Sequence, residues 1–598
     1  MTPDQIITLT IITAAIFLLV SNRIRADLVA MMVMVTLGLS GVVSPEKAFS
    51  GFSSSAVMTI LGISMISVAL QMTGATNSLG KVILKIGGGN ETRLIFMVSL
   101  ISALLSLFMN NIAAVGVLLP AVMSLSRKSK ISPSRLLIPL AFGTILGGMA
   151  TLLTTSNIIV SGALKEAGLL SFGLLDYFPV GGPVMIVGIL YLTFLGKRLL
   201  PMSYKTDKIE DRRELTERLS ELYQVKKNLI QIQLTPTSPL VNLSIEEGNW
   251  YNRLKINILA VLRKKESFFS PDSSTILLPG DVLIARGVLP SEKAVALNLL
   301  VSPVNLPDLK VADESHPLAE ILITPHSRLI GKTIRDIDFR DRYGLSVIGI
   351  WHGGKPVETD CSDLILQFGD ALLVAGPAIR IHHLRSDEDL VVLEEDPDAV
   401  LMPRKGLITI LITLATLTIA ALDILPVALV AIGGAILLIL TGSMSLNDAF
   451  RGIEWKAIFL IAGLWPLSFA LQDTGLANMA VTSLINILGP VQPLVLVAVF
   501  LALSMLLTLL MSGQVSAIVM IPLALVAAQN MGIDARPFAM AVAMGCSLAF
   551  MSPLGHPVNI MVMNPGGYSF KDYAKVGLPL TIIAFILVIF AIHLYWGL

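Results

Sequence analysis

The chain has 598 residues, 54% of them apolar and only 14% charged, with a formal net charge of +1 and a mean hydropathy of +0.78. So little charge over this length excludes a soluble globular protein, whose surface needs far more of it. The near-zero balance and the lack of a Lys/Arg block point to no nucleic-acid partner, and two cysteines in dissimilar stretches, Cys361 and Cys546, argue against a disulfide framework.

The first apolar run, Ile6 to Val20, has no basic leader and no small-residue cleavage pattern, so it reads as a retained transmembrane helix, short for a span. Further spans are expected at 27–43, 56–73, 135–165 and 180–197, with a helical hairpin at 94–126. Gly87-Gly88-Gly89 reads as a turn rather than a phosphate loop. Residues 1–200 thus form an N-terminal transmembrane segment set, followed by a charged helical linker at 201–228 (KTDKIEDRRELTERLSELYQVK).

From 229 to 398 the chain is charged, turn-rich and strand-like, and belongs outside the lipid. It is duplicated at an offset of 89: Gly280-Asp281-Val282-Leu283-Ile284 matches Gly369-Asp370-Ala371-Leu372-Leu373. Two small α+β domains are expected, at 229–303 and 304–398, with no glycine-rich nucleotide fingerprint. The C-terminal part, 399–598, repeats the first: spans at 406–423, 425–441, 456–472, 535–565 and 577–597, and a hairpin at 491–527.

The two apolar parts match along their length. Ala48-Phe49-Ser50-Gly51 matches Ala449-Phe450-Arg451-Gly452 at an offset of 401, while Asn110, Pro120 and Asn157 match Ser512, Pro522 and Asn559 at 402. DYFPVGGP, Asp176 to Pro183, returns as DYAKVGLP, Asp572 to Pro579. An odd number of crossings per copy makes the second copy inverted. The fold class expected is therefore a polytopic α-helical membrane protein of two inverted-topology repeats, each of five spans plus one hairpin, with an inserted pair of soluble α+β domains. Lys and Arg crowd the loops on one side, and the positive-inside rule then puts residues 201–400 in the cytoplasm and both termini outside.

Uncharged polar clusters interrupt the apolar runs at equivalent places: Asn110-Asn111, Thr154-Thr155-Ser156-Asn157, Ser512-Gly513-Gln514, and Gly555-His556 with Asn559. Such paired breaks are the best sequence pointer to a transported-ligand site. Broken helices leave N-termini and Asn/Ser/Thr donors for an anion, and unwound carbonyls, Asn oxygens and hydroxyls for Na⁺. Gly147, Gly148, Gly555, Pro553 and Pro557 explain why helix fails there. A blander reading makes the Asn and Ser side chains mere glue between helices. His556 either contacts the anion or carries a proton, or satisfies a local carbonyl. Asp176 and Asp572 read as interfacial caps and His593 as structural. Intramembrane carboxylates are almost absent, against a divalent-cation site or an acidic proton relay. No P-loop and no Ser/His/Asp or Cys/His constellation suggests an ATPase or an enzyme.

On these motifs, LAFMSPLGHPVNIMVMNPGGYSFKDYAKVGLPL above all, the apolar halves resemble the divalent-anion:sodium symporter family, related to the citrate transporters, and in particular its sulfate-permease-like branch. The central domains resemble the RCK C-terminal domains that some of these permeases carry. The family's hairpin tip reads Ser-Asn-Thr; here it reads Asn110-Asn111-Ile112 and Ser512-Gly513-Gln514. The resemblance implies hairpin tips and broken helices holding substrate and Na⁺, the ion at Asn110, Asn111, Asn157, Ser512 and Asn559. It also implies a homodimer in the cell (inner) membrane and elevator-like alternating access. Sodium as coupling ion, a sulfate or di/tricarboxylate substrate, no other cofactor, and a small regulatory ligand on the central domains complete the expectation. Its alternatives are a regulated cation permease or antiporter, and a membrane nutrient sensor.

Overall fold

The computed structural model of the chain describes residues 1–21, 24–73, 90–129, 131–201, 403–489 and 492–598. It also describes 229–393 except 255, 264–265, 270, 272–273, 287–288, 304–317, 325–326, 354, 358–362, 377–379, 382–383, 385–386 and 388. The linker expected at 201–228, apart from residue 201, and the Gly87-Gly88-Gly89 turn lie outside the described residues. Two compact units form. One takes Met1–Ser203, Asp396–Val562 and Tyr568–Leu598; the other takes Tyr204–Glu395 with Met563–Gly567.

The first unit is all helical. Its first half comprises α1 (Pro3–Ser21), α2 (Ala26–Leu39), α3 (Ser55–Met72), α4 (Glu91–Ser106), α5 (Asn111–Ser129), α6 (Pro133–Gly148), α7 (Thr155–Glu166) and α8 (Phe178–Tyr191). Its second half comprises α9 (Pro403–Ala421), α10 (Val427–Leu440), α11 (Trp455–Leu464), α12 (Pro466–Asp473), α13 (Leu476–Leu488), α14 (Pro493–Leu510), α15 (Gly513–Met531), α16 (Arg536–Ser547), α17 (Pro557–Gly566) and α18 (Phe570–Trp596). Among the described residues six helical stretches are long and apolar enough to cross a membrane, including Pro45–Met72, Trp455–Asp473 and Phe570–Trp596. Helices of this number, length and apolarity make the chain a polytopic membrane protein.

The runs at 135–165 and 535–565 are not continuous helices. α6 and α7 have 16 and 12 residues, about 24 and 18 Å at 1.5 Å per residue, so neither alone crosses a core of about 30 Å. Together they make one interrupted span, and α16 with α17 make another. The interruption falls later than the glycines suggest: α6 runs through Gly147 and Gly148 and unwinds only from Met149. Pro557 opens α17, where a missing N–H costs nothing. The run at 456–472 also divides, at Pro466, between α11 and α12, whereas α3 continues through Met65 at the matching position. The amphipathic helix α13, with only Leu476, Ala477 and Val481 buried, is not anticipated by the sequence reading.

Packing within this unit is crosswise. α2 lies against α11 and α3 against α10, while α4 packs on α6 and α14 on α16. α8 and α18 contact each other, and each leans on an interruption. A Cβ at Gly181 would overlap the Met149 carbonyl oxygen, and one at Gly577 the Phe550 carbonyl oxygen. Only glycine allows that approach.

The second unit contains two five-stranded antiparallel sheets. Strands β1 (Leu229–Leu234), β2 (Asn257–Arg263), β3 (Glu266–Phe269), β4 (Val282–Arg286) and β5 (Leu299–Pro303) take the order β3-β2-β4-β1-β5. Strands β6 (Leu318–Ile323), β7 (Ser346–His352), β8 (Lys355–Pro356), β9 (Ala371–Ala375) and β10 (Leu390–Val392) take the order β10-β6-β9-β7-β8, the same order strand for strand. The likeness reaches single residues. A register shift falls between Ile258 and Ala260 in one sheet and between Val347 and Gly349 in the other. Gly280 and Gly369 both turn at φ +84°, a backbone that side chains resist. The aspartates that follow, Asp281 and Asp370, are buried and accept the Leu278 and Gln367 amides, each at 2.8 Å. Asp281 also pairs with Arg263 at 2.8 Å, and Asp370 with His352 at 2.9 Å. Burial pushes the Asp370 carboxyl up from its ordinary value, against the Gln367 amide and His352, which lower it.

Candidate substrate and ion site

Each interruption is clipped by one asparagine. Asn157, in the first turn of α7, is fully buried, and its Nδ2 donates to the Thr151 carbonyl at 2.7 Å and the Gly148 carbonyl at 3.4 Å. Asn559, in the first turn of α17, is equally buried and donates to the Ala549 carbonyl at 2.9 Å and the Ser552 carbonyl at 3.2 Å. A tyrosine props each from behind: Tyr177 Oη donates to the Asn157 carbonyl at 2.9 Å, and Tyr573 Oη to the Asn559 carbonyl at 2.5 Å. The asparagines thus tie carbonyls that the helix no longer satisfies.

Their side-chain oxygens are left over. Asn157 Oδ1 and Asn559 Oδ1 are buried without a hydrogen-bond partner among the described residues, and Thr151 Oγ1 beside the first shares that state. A buried acceptor without a donor costs about 1–3 kcal/mol, so a matched pair of them is unusual. A cation removes the cost. Neutral amide, hydroxyl and carbonyl oxygens form a hard donor set of low charge, which suits Na⁺. Among the described residues no group of three or more His, Cys, Asp or Glu comes together.

The first hairpin tip joins this region through Asn111. Its Oδ1 accepts from Ser106 Oγ at 2.5 Å and its Nδ2 lies 3.2 Å from His556 Nε2. A Cβ at Gly148 would stand 2.6 Å from both Asn111 Oδ1 and Thr154 Oγ1, so the absent side chain lets the tip close on the α6 terminus. Thr154 Oγ1 in turn donates to the Gly148 carbonyl at 2.6 Å. His556 Nδ1 faces the Val558 N–H at 3.4 Å. A neutral imidazole that accepts there carries its proton on Nε2, which requires an acceptor on Asn111. Turning the Asn111 amide over supplies Oδ1 to His556 and Nδ2 to Ser106. His556 is then uncharged, with its one N–H given to Asn111.

The remaining candidates divide. Ser156 Oγ and Ser547 Oγ meet at 3.5 Å, bringing the start of α7 to the end of α16. Gly555 allows the short turn Pro553–Gly555 to fold onto Ala549, 2.9 Å from where a Cβ would stand. Thr155 is half-buried in the first turn of α7. Asn110 turns away, donating to the Glu454 carboxylate and accepting from the Ile112 N–H at 2.8 Å. Ser512 caps α15 through the Val515 N–H at 3.5 Å, and Gly513 sits where a Cβ would overlap the Cys546 carbonyl oxygen. Gln514 is half-buried and has no hydrogen bond with the other candidates among the described residues.

Glu454, Tyr177, Tyr573, Thr151, Ser106 and Ser547 are contributors that sequence reasoning missed. The tyrosines were visible as the shared second residue of DYFPVGGP and DYAKVGLP. Glu454 was visible as a carboxylate at the head of an apolar run whose first-half counterpart is Ser53.

A profile of the citrate transporter family matches residues 16–545. An uncharacterized transporter of Synechocystis sp. is 32% identical over 590 residues, covering 96% of this chain and 95% of that protein. An uncharacterized transporter of Escherichia coli K12 is also 32% identical, over 98% of each chain. Sodium/sulfate cotransporter 2 of Chlamydomonas reinhardtii is 20% identical over 90% of this chain and 84% of its own.

Proposed function

As a member of the citrate transporter family, the chain is a multi-pass membrane transporter, and we propose that it carries a small oxyanion, sulfate or a di/tricarboxylate, coupled to Na⁺. The observation that carries this is the pair of buried, unpartnered oxygens, Asn157 Oδ1 and Asn559 Oδ1, each beside unwound carbonyls. Sodium binds there. The anion binds to the neutral donors and helix N-termini around Asn111, Thr154, Ser156 and His556. A relative that is named a sodium/sulfate cotransporter supports both halves of the reading.

The two halves act as inverted repeats. The crosswise contacts α2–α11 and α3–α10 support a two-fold relation, in which each element meets the other's counterpart. The hairpins and interrupted helices move against the remaining helices in an elevator-like cycle, within a homodimer. The Lys/Arg asymmetry supports cytoplasmic central domains and outward termini in the inner membrane. The two sheets of equal order act as RCK-C-like regulatory domains that bind a small ligand.

Uptake of labelled sulfate or succinate into proteoliposomes, with an inward Na⁺ gradient or with K⁺ replacing it, tests the proposal. Uptake of at least one anion that depends on Na⁺ is expected. Equal uptake in both salts removes sodium coupling, and no uptake of either anion removes this substrate class.

A further inference from the structure

The two hairpin tips stand in unequal surroundings. Asn110 is joined to Glu454 at the head of α11. By the 402 and 401 offsets their counterparts are Ser512 and Ser53, and these are not joined: Ser53 Oγ donates to the Ser50 carbonyl at 2.9 Å, while Ser512 Oγ accepts the Val515 N–H. The far end of α11 repeats the bias. Trp465 Nε1 donates to Glu166 Oε2 at 2.5 Å, at the end of α7. The counterparts there are Ser64 and Tyr568, and Tyr568 Oη is committed to the Ser134 carbonyl at 2.8 Å and the Ile138 N–H at 3.0 Å. Both ends of α11 therefore grip the first hairpin tip and α7, and the matching stretch of α3 makes neither contact among the described residues.

We propose that Glu454 is a positioning residue of the transport cycle, seating the Asn110 tip in one of two alternating states, and that the opposite state seats Ser512 beside Ser53. This rests on the inverted-repeat transport reading above. In a carrier built of two inverted copies, the opposite-facing state arises when the copies exchange conformations, so a contact present in one copy marks where the other closes. The two seats differ chemically. Burial pushes the Glu454 carboxyl up to about 7, against the Asn110 amide, which lowers it; its ionised form accepts from that amide in a charge-assisted bond, and two serine hydroxyls offer only a neutral one. The Glu454 seat therefore favours the state it closes, and loss of that acceptor moves the population the other way.

The test introduces Ser53→Cys and Ser512→Cys into the full chain with Cys361→Ser and Cys546→Ala, reconstituted in lipid and treated with a short thiol-bridging reagent. Slow cross-linking is expected with Glu454 in place. Adding Glu454→Ser raises the rate about tenfold, the loss of one charge-assisted bond. Adding Glu454→Gln raises it less, because the amide oxygen still accepts from Asn110. Equal rates in all three backgrounds, or no cross-link in any, overturn the proposal, and a purely structural role for Glu454 leaves the rate unmoved. Labelled-anion uptake by the otherwise unaltered chain separates the two levels. Uptake with unchanged cross-linking removes the role of Glu454 alone, and failure of uptake removes the anion-transport reading beneath it.

Discussion

The two interrupted spans are near copies of each other, and the two hairpin tips are not. Around residues 149–154 and 548–556 the same parts recur: an asparagine tying loop carbonyls, a tyrosine behind it, a glycine on the supporting helix and an amide oxygen left without a partner. At the tips, Asn110-Asn111 engages Glu454, Ser106 and His556, while Ser512-Gly513 only caps its own helix and rests on Cys546. Sameness where oxygens gather suits a cation at each of two equivalent places. Difference at the tips suits substrate choice and the balance between carrier states.

The largest expected effect breaks the equivalence of the interruptions. Asn157→Ala and Asn559→Ala should each lower the initial rate of labelled-anion uptake by about 100-fold, the scale of a lost ligand to a charged group, with an unchanged gel-filtration profile. Wild-type-like uptake by both variants would remove the site, and loss in only one would make the halves functionally unequal. Gly148→Ala should approach the same loss, because its Cβ would collide with Asn111 and Thr154. Tyr177→Phe and Tyr573→Phe remove one neutral hydrogen bond each, so the apparent Na⁺ affinity should fall about fivefold with little change in maximal rate. Where the first tip meets the second interruption, His556→Ala should raise the KM for the anion several-fold and leave the Na⁺ dependence unmoved.

The smallest effect concerns the duplicated sheets. Arg263 holds Asp281 through two nitrogens and also reaches the Ile276 carbonyl, whereas His352 meets Asp370 through Nδ1 alone. Arg263→Ala should therefore lower the thermal midpoint of the purified protein by a few degrees more than His352→Ala, about 1 kcal/mol of difference. Equal shifts would make the two ion pairs interchangeable.

Much of this arrangement was legible in the sequence. Offsets of 401, 402 and 89 align Asn157 with Asn559 and Gly280 with Gly369 in the sequence itself, because duplicated folds keep their turn glycines and buried polar residues. Approximate helix positions followed from the apolar runs, while the caps Ser54 and Ser512 emerge only in the fold. The position of each interruption did not: Gly147 and Gly148 stay helical because their role is close approach, to Ala103 and Asn111, rather than unwinding. Nor did the Asn110–Glu454 contact follow, because it joins residues 344 apart and its counterpart in the other half is absent among the described residues. Repeat symmetry finds what both copies share and is blind to what one copy alone has gained.

Equilibrium binding of radiolabelled sodium to the purified protein tests the paired-oxygen site most directly, with wild type, Asn157→Ala, Asn559→Ala and the double variant compared in choline buffer. Saturable binding by wild type, a partial loss in each single variant and complete loss in the double variant is the expected result. Undiminished sodium binding by the double variant would contradict it.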